Sequence, residues 1–261
     1  MFSLLDRLTA SSGGAQEFTS SGTFIVPEGV NKIWITACGG GASGSSYYTS
    51  GTDYIDGGAG GNGGEAIVKK PFNVSPGEVI NITIGAGGAS VSSGKGKAGE
   101  NTIIGNLVTL LGGAAPTGEL IGNLTGREGG GRGGFGPIRD AGRKGENGIL
   151  GKGGMGGGET WAYYYDASDT TSMFVESGTR WVSEANYSGG GGGGSLGNGG
   201  NGALYIRIGS AGYQYYKATA GTKGGGGGGG LYMSTGSSTA GTLVTYYASG
   251  AGGKGYCLIE W

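Results

Sequence analysis

The chain has 261 residues, 70 of them glycine, with 17 basic residues against 18 acidic ones for a formal net charge of −1 and no histidine. This excludes the dense Lys/Arg stripe that a nucleic acid or an anionic membrane selects, and it removes the commonest general base and metal ligand. No nucleic-acid partner, membrane insertion, metal or cofactor is therefore expected.

The chain opens on FSLLDRL, residues 2–8, which can form two turns of amphipathic helix with Phe2, Leu4, Leu5 and Leu8 on one side. A helix this short needs a partner, so residues 1–16 are expected to be an N-terminal attachment segment. The opening residues lack a signal peptide's apolar run, and synthesis in a cytoplasm is expected.

From residue 17 the period becomes two. EFTSSGTFIVPEG, NKIWITACGG, GEAIVKKPFNVSPGE, EVINITIGAGG and NTIIGNLVTLLGG are β-rich runs punctuated by Pro27-Glu28-Gly29, Pro76-Gly77 and glycine clusters. Val79, Asn81 and Thr83 alternate with Ile80, Ile82 and Ile84, as in a strand with one buried face. The spacing predicts a mainly β fold with little α-helix: an antiparallel β-sandwich-like domain over 17–125, closed by a last strand at 254–261. Cys38 and Cys257 each lie in a strand-like run and are expected to be buried free thiols.

Residues 126–253 read differently. Leu, Ile, Val and Phe total 46, and only 16 of them follow residue 125. Glycine tracts at 126–134, 142–158, 189–202, 221–230 and 250–255 alternate with aromatic and polar segments, and several place glycine at every third position. A polyproline II-type helix has three residues per turn and about 3.1 Å rise, so a 14-residue tract would span roughly 43 Å. Its backbone bonds only to neighbours, and glycine lets neighbours come close enough to do so. The expectation is a bundle of polyglycine II helices, parallel and antiparallel, held by hydrogen bonds in place of a hydrophobic core. Each tract is read as one rod, so the segments between rods should divide between the two ends of the bundle.

Signals for catalysis are weak. GKGKAG at 94–99 and GKGGMG at 151–156 satisfy GxGxxG, but about five chance matches are expected in so glycine-rich a chain, and neither has a strand-turn-helix setting. The carboxylate pairs Asp53/Asp56, Asp166/Asp169 and Glu176/Glu184 have the residue type a glycosidase uses, yet all sit in polar segments where solvated surface explains them. No enzyme is expected.

Twelve of fifteen tyrosines follow residue 125. The candidate contact residues are Tyr47, Tyr48, Tyr54, Trp161, Tyr163, Tyr164, Tyr165, Trp181, Tyr187, Tyr213, Tyr215, Tyr216, Tyr232, Tyr246 and Tyr247, in segments 45–56, 159–187, 209–219 and 231–249. Loops of Tyr, Ser, Gly, Thr and Trp have a paratope's composition, in which rigid amphipathic rings supply contact area at low entropic cost. Tyr205, in the alternating LYIRIG, is instead expected to cap the bundle.

FTSSGTFIVPEGVNKIWITACGGGASG, GGAGGNGGEAIVKKPFNVSPGEVINITIGAGGAS and GAGGKGYCLIEW together resemble the glycine-rich domain of phage tail and tail-fibre proteins. More loosely, the second half resembles the polyglycine II-helix adhesins that tip T-even-like long tail fibres. The resemblance implies a virion protein made in the host cytoplasm, with bacterial surface glycans or outer-surface proteins and other tail proteins as partners. A receptor-binding adhesin is the expected function; a structural tail component, and then a surface-glycan depolymerase, are the alternatives. The oligomeric state is left open.

Overall fold

A computed structural model describes residues 13–46, 58–116, 145–153, 192–207, 213–235 and 243–261, with the short strands 161–164, 173–176 and 187–188. The expected N-terminal helix lies outside these residues. Within them the fold is mainly β and contains no helix. The strands of the first half are β1 (Ala15–Phe18), β2 (Gly22–Ile25), β3 (Lys32–Cys38), β4 (Ala66–Asn73), β5 (Val79–Thr83), β6 (Thr102–Ile104) and β7 (Val108–Leu110). Then come β8 (Trp161–Tyr164), β9 (Met173–Glu176), β10 (Tyr187–Ser188), β11 (Leu204–Arg207), β12 (Tyr213–Tyr216), β13 (Leu231–Thr235), β14 (Leu243–Tyr247) and β15 (Tyr256–Glu260).

Two antiparallel four-stranded sheets form the base, ordered β1-β15-β3-β4 and β2-β5-β6-β7. The last strand of the chain is thus an inner strand, paired on one side with β1 and on the other with β3. The period-two pattern sets which residues meet inside. In β5, Ile80 and Ile82 are buried while Val79, Asn81 and Thr83 are exposed, and in β3 Ile33, Ile35 and Ala37 are buried. With Phe18, Phe24, Ile104, Leu110 and Ile259, these residues join both sheets in one apolar cluster. Both turns marked by Pro-X-Gly and Pro-Gly close with glycine at positive φ, Gly29 at 79° and Gly77 at 78°. The Val30 N–H donates to the Pro27 carbonyl, and that of Glu78 to Ser75, as type II turns require.

The strands β3, β5, β7 and β1 run toward the glycine segments, and β4, β6 and β15 run away from them. The sheets therefore have one pole where glycine begins. At the other lie the turns near 27–30, 75–78 and 104–107 and both ends of the described chain, where Gly14 and Trp261 exchange backbone hydrogen bonds at 2.9 Å in each direction.

Above the sheets the backbone bonds with a period of three. In segment 39–46 the N–H groups of Gly39, Ala42 and Ser45 donate to 65, 62 and 59. Those of Gly40, Ser43 and Ser46 donate to 100, 97 and 94, and those of Gly41 and Gly44 to 253 and 250. Its carbonyls accept from three further segments: Gly40 from Gly113, Gly41 from Gly88, and Ala42 and Ser45 from Gly227 and Gly230. Six neighbours thus surround one extended segment. Segment 224–230 repeats the rule, its seven consecutive carbonyls accepting in rotation from 64, 253, 200, 61, 250, 203 and 58.

Such bonding needs glycine because the acceptors sit where a Cβ would be. A Cβ on Gly40 would fall on the Ala86 carbonyl, one on Gly41 on that of Gly225, and one on Gly61 on that of Ala42. Serines buried among these legs are hydrogen-bonded. Ser43 Oγ accepts from the Lys97 N–H, Ser195 Oγ donates to the Gly64 carbonyl, and Ser249 Oγ accepts from the Val91 N–H. Within GKGKAG, a Cβ on Gly96 or Gly99 would likewise fall on the carbonyl of Ser43 or Gly40, so close packing of the backbone accounts for both glycines.

The later tracts correct the expectation of single long rods. In 145–153 the Gly148 N–H donates to the Gly151 carbonyl and that of Gly153 to Asn147 Oδ1, so the chain folds back on itself. Tract 189–202 also reverses: the Gly192 N–H donates to the Gly200 carbonyl across bends at 195–197. Tract 221–230 begins with a turn in which the Gly225 N–H donates to Thr222, with Lys223 and Gly224 at φ 36° and 77°. Each turn falls inside an unbroken period-three run of glycine, at residues whose side-chain oxygens or φ suit reversal, such as Asn147, Asn198 and Gly224. Periodicity alone therefore does not register a reversal.

Candidate functional site

The reversals decide where the aromatic segments emerge. The turns at 195–197 and 222–224 lie on the sheet side: the Gly224 N–H donates to Lys254, the Gly64 N–H to Gly224, and a Cβ on Gly224 would sit 2.7 Å from Cys38 Sγ. From them the legs run outward. Ala203, the last residue before β11, donates to Gly229, and Thr219, just after β12, donates to Asn201. Gly230, the last before β13, donates to Ser45; Gly250, just after β14, donates to Gly228. Ser46 and Gly58, which flank 47–57, stand at this same level, since Gly58 donates to Gly230. The segments 47–57, 204–216 and 231–247 thus all leave from the pole remote from the sheets. These three share one end in place of the expected division, because the turns at 195–197 and 222–224 each join a descending leg to an ascending one; the residues that flank 159–187 lie outside the described ones.

These segments are also more regular than loops. Backbone ladders join β8 to β9, β10 to β11 to β12, and β13 to β14, all antiparallel. Trp161, Tyr163 and Tyr164 fall in β8, where Trp161 is opposite Glu176 and Tyr163 opposite Phe174. Tyr187 lies in β10, and Tyr213, Tyr215 and Tyr216 lie in β12. Tyr232 of β13 is opposite Tyr246 of β14, and Leu231 is opposite Tyr247. Tyr47, Tyr48, Tyr54, Tyr165 and Trp181 lie outside the described residues, as do all the paired carboxylates except Glu176. Tyr205 is placed among the candidates by its register, opposite both Tyr187 and Tyr215. The strict alternation of LYIRIG was the sequence signal for that strand.

A second group of functional side-chain types gathers where the glycine turns meet the first sheet. Lys223 Nζ lies 4.1 Å from the centre of the Tyr256 ring and 3.8 Å from Glu17 Oε1. Burial pushes the Cys38 thiol up to about 12, against opposing hydrogen bonds from Ser195 and the backbone, so it stays a neutral, inert thiol. Cys257, likewise pushed up to about 12 by burial, cannot bridge to it. Cys38 is opposite Tyr256 and Cys257 opposite Ala37, so the pleat puts the two thiols on opposite faces. Both are free, as expected. This group fastens the turn at 222–224 to β1 and β15. Among the described residues no cluster of three His, Cys, Asp or Glu side chains is placed to hold a metal.

Comparison with curated proteins gives no match. The model of the glycine-rich domain family matches residues 19–261, and the chain belongs to that family.

Proposed function

We propose that this protein is a receptor-binding adhesin of a phage tail, in which a β-sandwich base carries a bundle of polyglycine II helices and the bundle presents aromatic hairpins to a bacterial surface. The observation that carries the reading is the common pole. Segments 47–57, 204–216 and 231–247, rich in tyrosine, leave from one end of the glycine network, while Gly14 and Trp261 meet at the other. Anything joined before or after the described chain leaves opposite the hairpins. A five-residue strand of about 17 Å and a seven-residue glycine leg of about 22 Å separate the two poles.

The rotation of donors and acceptors through three directions supports the helix assignment, because a polyglycine II helix has three residues per turn and no internal hydrogen bonds. The apolar cluster shared by the two sheets supports the sandwich. A support of backbone hydrogen bonds depends little on the sequence of the hairpins it carries, which suits a surface whose specificity resides in its tips.

Purified protein should adhere to cells of the host bacterium, and replacing Tyr232, Tyr246 and Tyr247 with alanine should weaken adhesion while amide protection of 39–46 persists. Absence of adhesion by the wild-type protein at any concentration overturns the reading in favour of a structural tail component.

A further inference from the structure

We propose that the row Tyr187–Tyr205–Tyr215 across the three-stranded sheet β10-β11-β12 is a carbohydrate-binding platform. The proposal rests on the adhesin reading and commits it to a glycan receptor.

The row follows from register. Tyr187 pairs with Tyr205, and Tyr205 with Tyr215, so three tyrosine positions stand in line on one face, neighbouring strands being about 4.8 Å apart. Two residues along, on the same face, Arg207 pairs with Tyr213. The alternate positions Leu204, Ile206, Gln214 and Tyr216 belong to the other face. All five aromatic or cationic positions therefore share one side of a small sheet.

Size selects the ligand class. Four residues of strand by two inter-strand spacings give a platform of about 13 by 10 Å, or roughly 130 Å². Each partner in a stable protein complex buries about 800 Å². The platform matches a run of two or three sugar rings instead. Tyrosine combines a flat apolar face with a hydroxyl, and a pyranose presents the same combination, a C–H face rimmed by hydroxyls. Arginine adds a fork of N–H donors for those hydroxyls or for an acidic sugar. The β11–β12 hairpin that carries Tyr205 and Tyr215 is also held at both ends, since Ala203 and Thr219 are bonded into the glycine network. Such preorganisation lowers the entropy lost on binding.

The test applies purified protein to host cells treated with periodate, which cleaves sugar diols, or with a protease, alongside Tyr205→Ala and Tyr205→Phe. The expected result is adhesion lost after periodate and kept after protease, roughly tenfold weaker binding for Tyr205→Ala, and near wild-type binding for Tyr205→Phe, which keeps the ring. Purified host surface polysaccharide should compete with cells for the wild-type protein, a measurement that needs no variant to fold. Adhesion abolished by protease and indifferent to periodate overturns the glycan proposal and leaves the adhesin reading standing. Periodate sensitivity with Tyr205→Ala folded and fully adherent moves the glycan site off this row and overturns it too. No adhesion by untreated wild-type protein overturns the adhesin reading itself.

Discussion

Substituting Gly227 with alanine tests the glycine network at its centre. The Gly227 N–H donates to the Ala42 carbonyl at 2.8 Å, and its own carbonyl accepts from the Gly61 N–H at 2.8 Å. A Cβ there would fall on the Gly250 carbonyl and 2.6 Å from that of Ala251, both backbone atoms that cannot swing aside. Restoring ordinary contact requires the 249–253 segment to move about 1 Å. That movement stretches the bonds from Gly44 to Gly250 and from Gly250 to Gly228. Two buried backbone pairs left poorly satisfied cost about 1–3 kcal/mol each. Alanine's smaller unfolded-state entropy returns only about 0.4–1 kcal/mol. The expected net loss is about 3 kcal/mol, a large part of the 5–15 kcal/mol typical of a folded domain. Gly77→Ala is the control, because a Cβ there meets nothing within 4 Å and the cost is that of φ 78° alone, about 1–2 kcal/mol. Denaturant unfolding with amide exchange of 39–46 and 224–230 measures both. A Gly227→Ala protein within about 0.5 kcal/mol of wild type would refute the close backbone approach described here.

Three further predictions concern the base and its junction with the glycine legs. Lys223 holds a strained φ of 36° and contacts the Tyr256 ring and Glu17; Lys223→Ala keeps the strain and loses the contacts, so it should destabilise by about 1 kcal/mol, while Lys223→Gly should be near neutral by denaturant titration. The thiols of Cys38 and Cys257, pushed from 9.0 up to about 12 by burial, keep their protons in the folded chain at a pH where the unfolded chain loses them. Stability should therefore fall as pH rises from about 9 toward 12, and thiol alkylation at pH 8 should be slow until denaturant is added; rapid labelling of the native protein would contradict their burial. Deleting residues 256–261 removes the strand between β1 and β3 and should abolish protection in both sheets and in the glycine segments bonded to 250–253; a cooperatively folded truncation would show that the closing strand is dispensable.

Much of this architecture can be read from local pattern. Alternation placed β5 with Ile80 and Ile82 inward, Pro76-Gly77 placed a type II turn, and GKGYCLIEW was legible as a returning strand, because pleat and turn chemistry act within a few residues. Glycine at every third position likewise announced a backbone that bonds outward. The strand pairing of the aromatic segments was not legible, since the ladders that order them pair residues such as Tyr232 and Tyr246 across intervening chain.

The sequence by itself determined the element types of the first half: which of its runs are strands, which residues face the apolar cluster, and that glycine tracts follow. Only the tertiary structure decided how the glycine segments are shared. Legs from 39–46, 58–65 and 85–113 bond directly to legs from 192–203, 219–230 and 250–253, and the turns at 195–197 and 222–224 send the β11–β12 and β13–β14 hairpins to one pole. The physical reason is that a glycine leg has no side chains to specify its neighbours. Partner choice and direction are set by the three-fold geometry of backbone donors and acceptors, which exists only once all the legs are assembled.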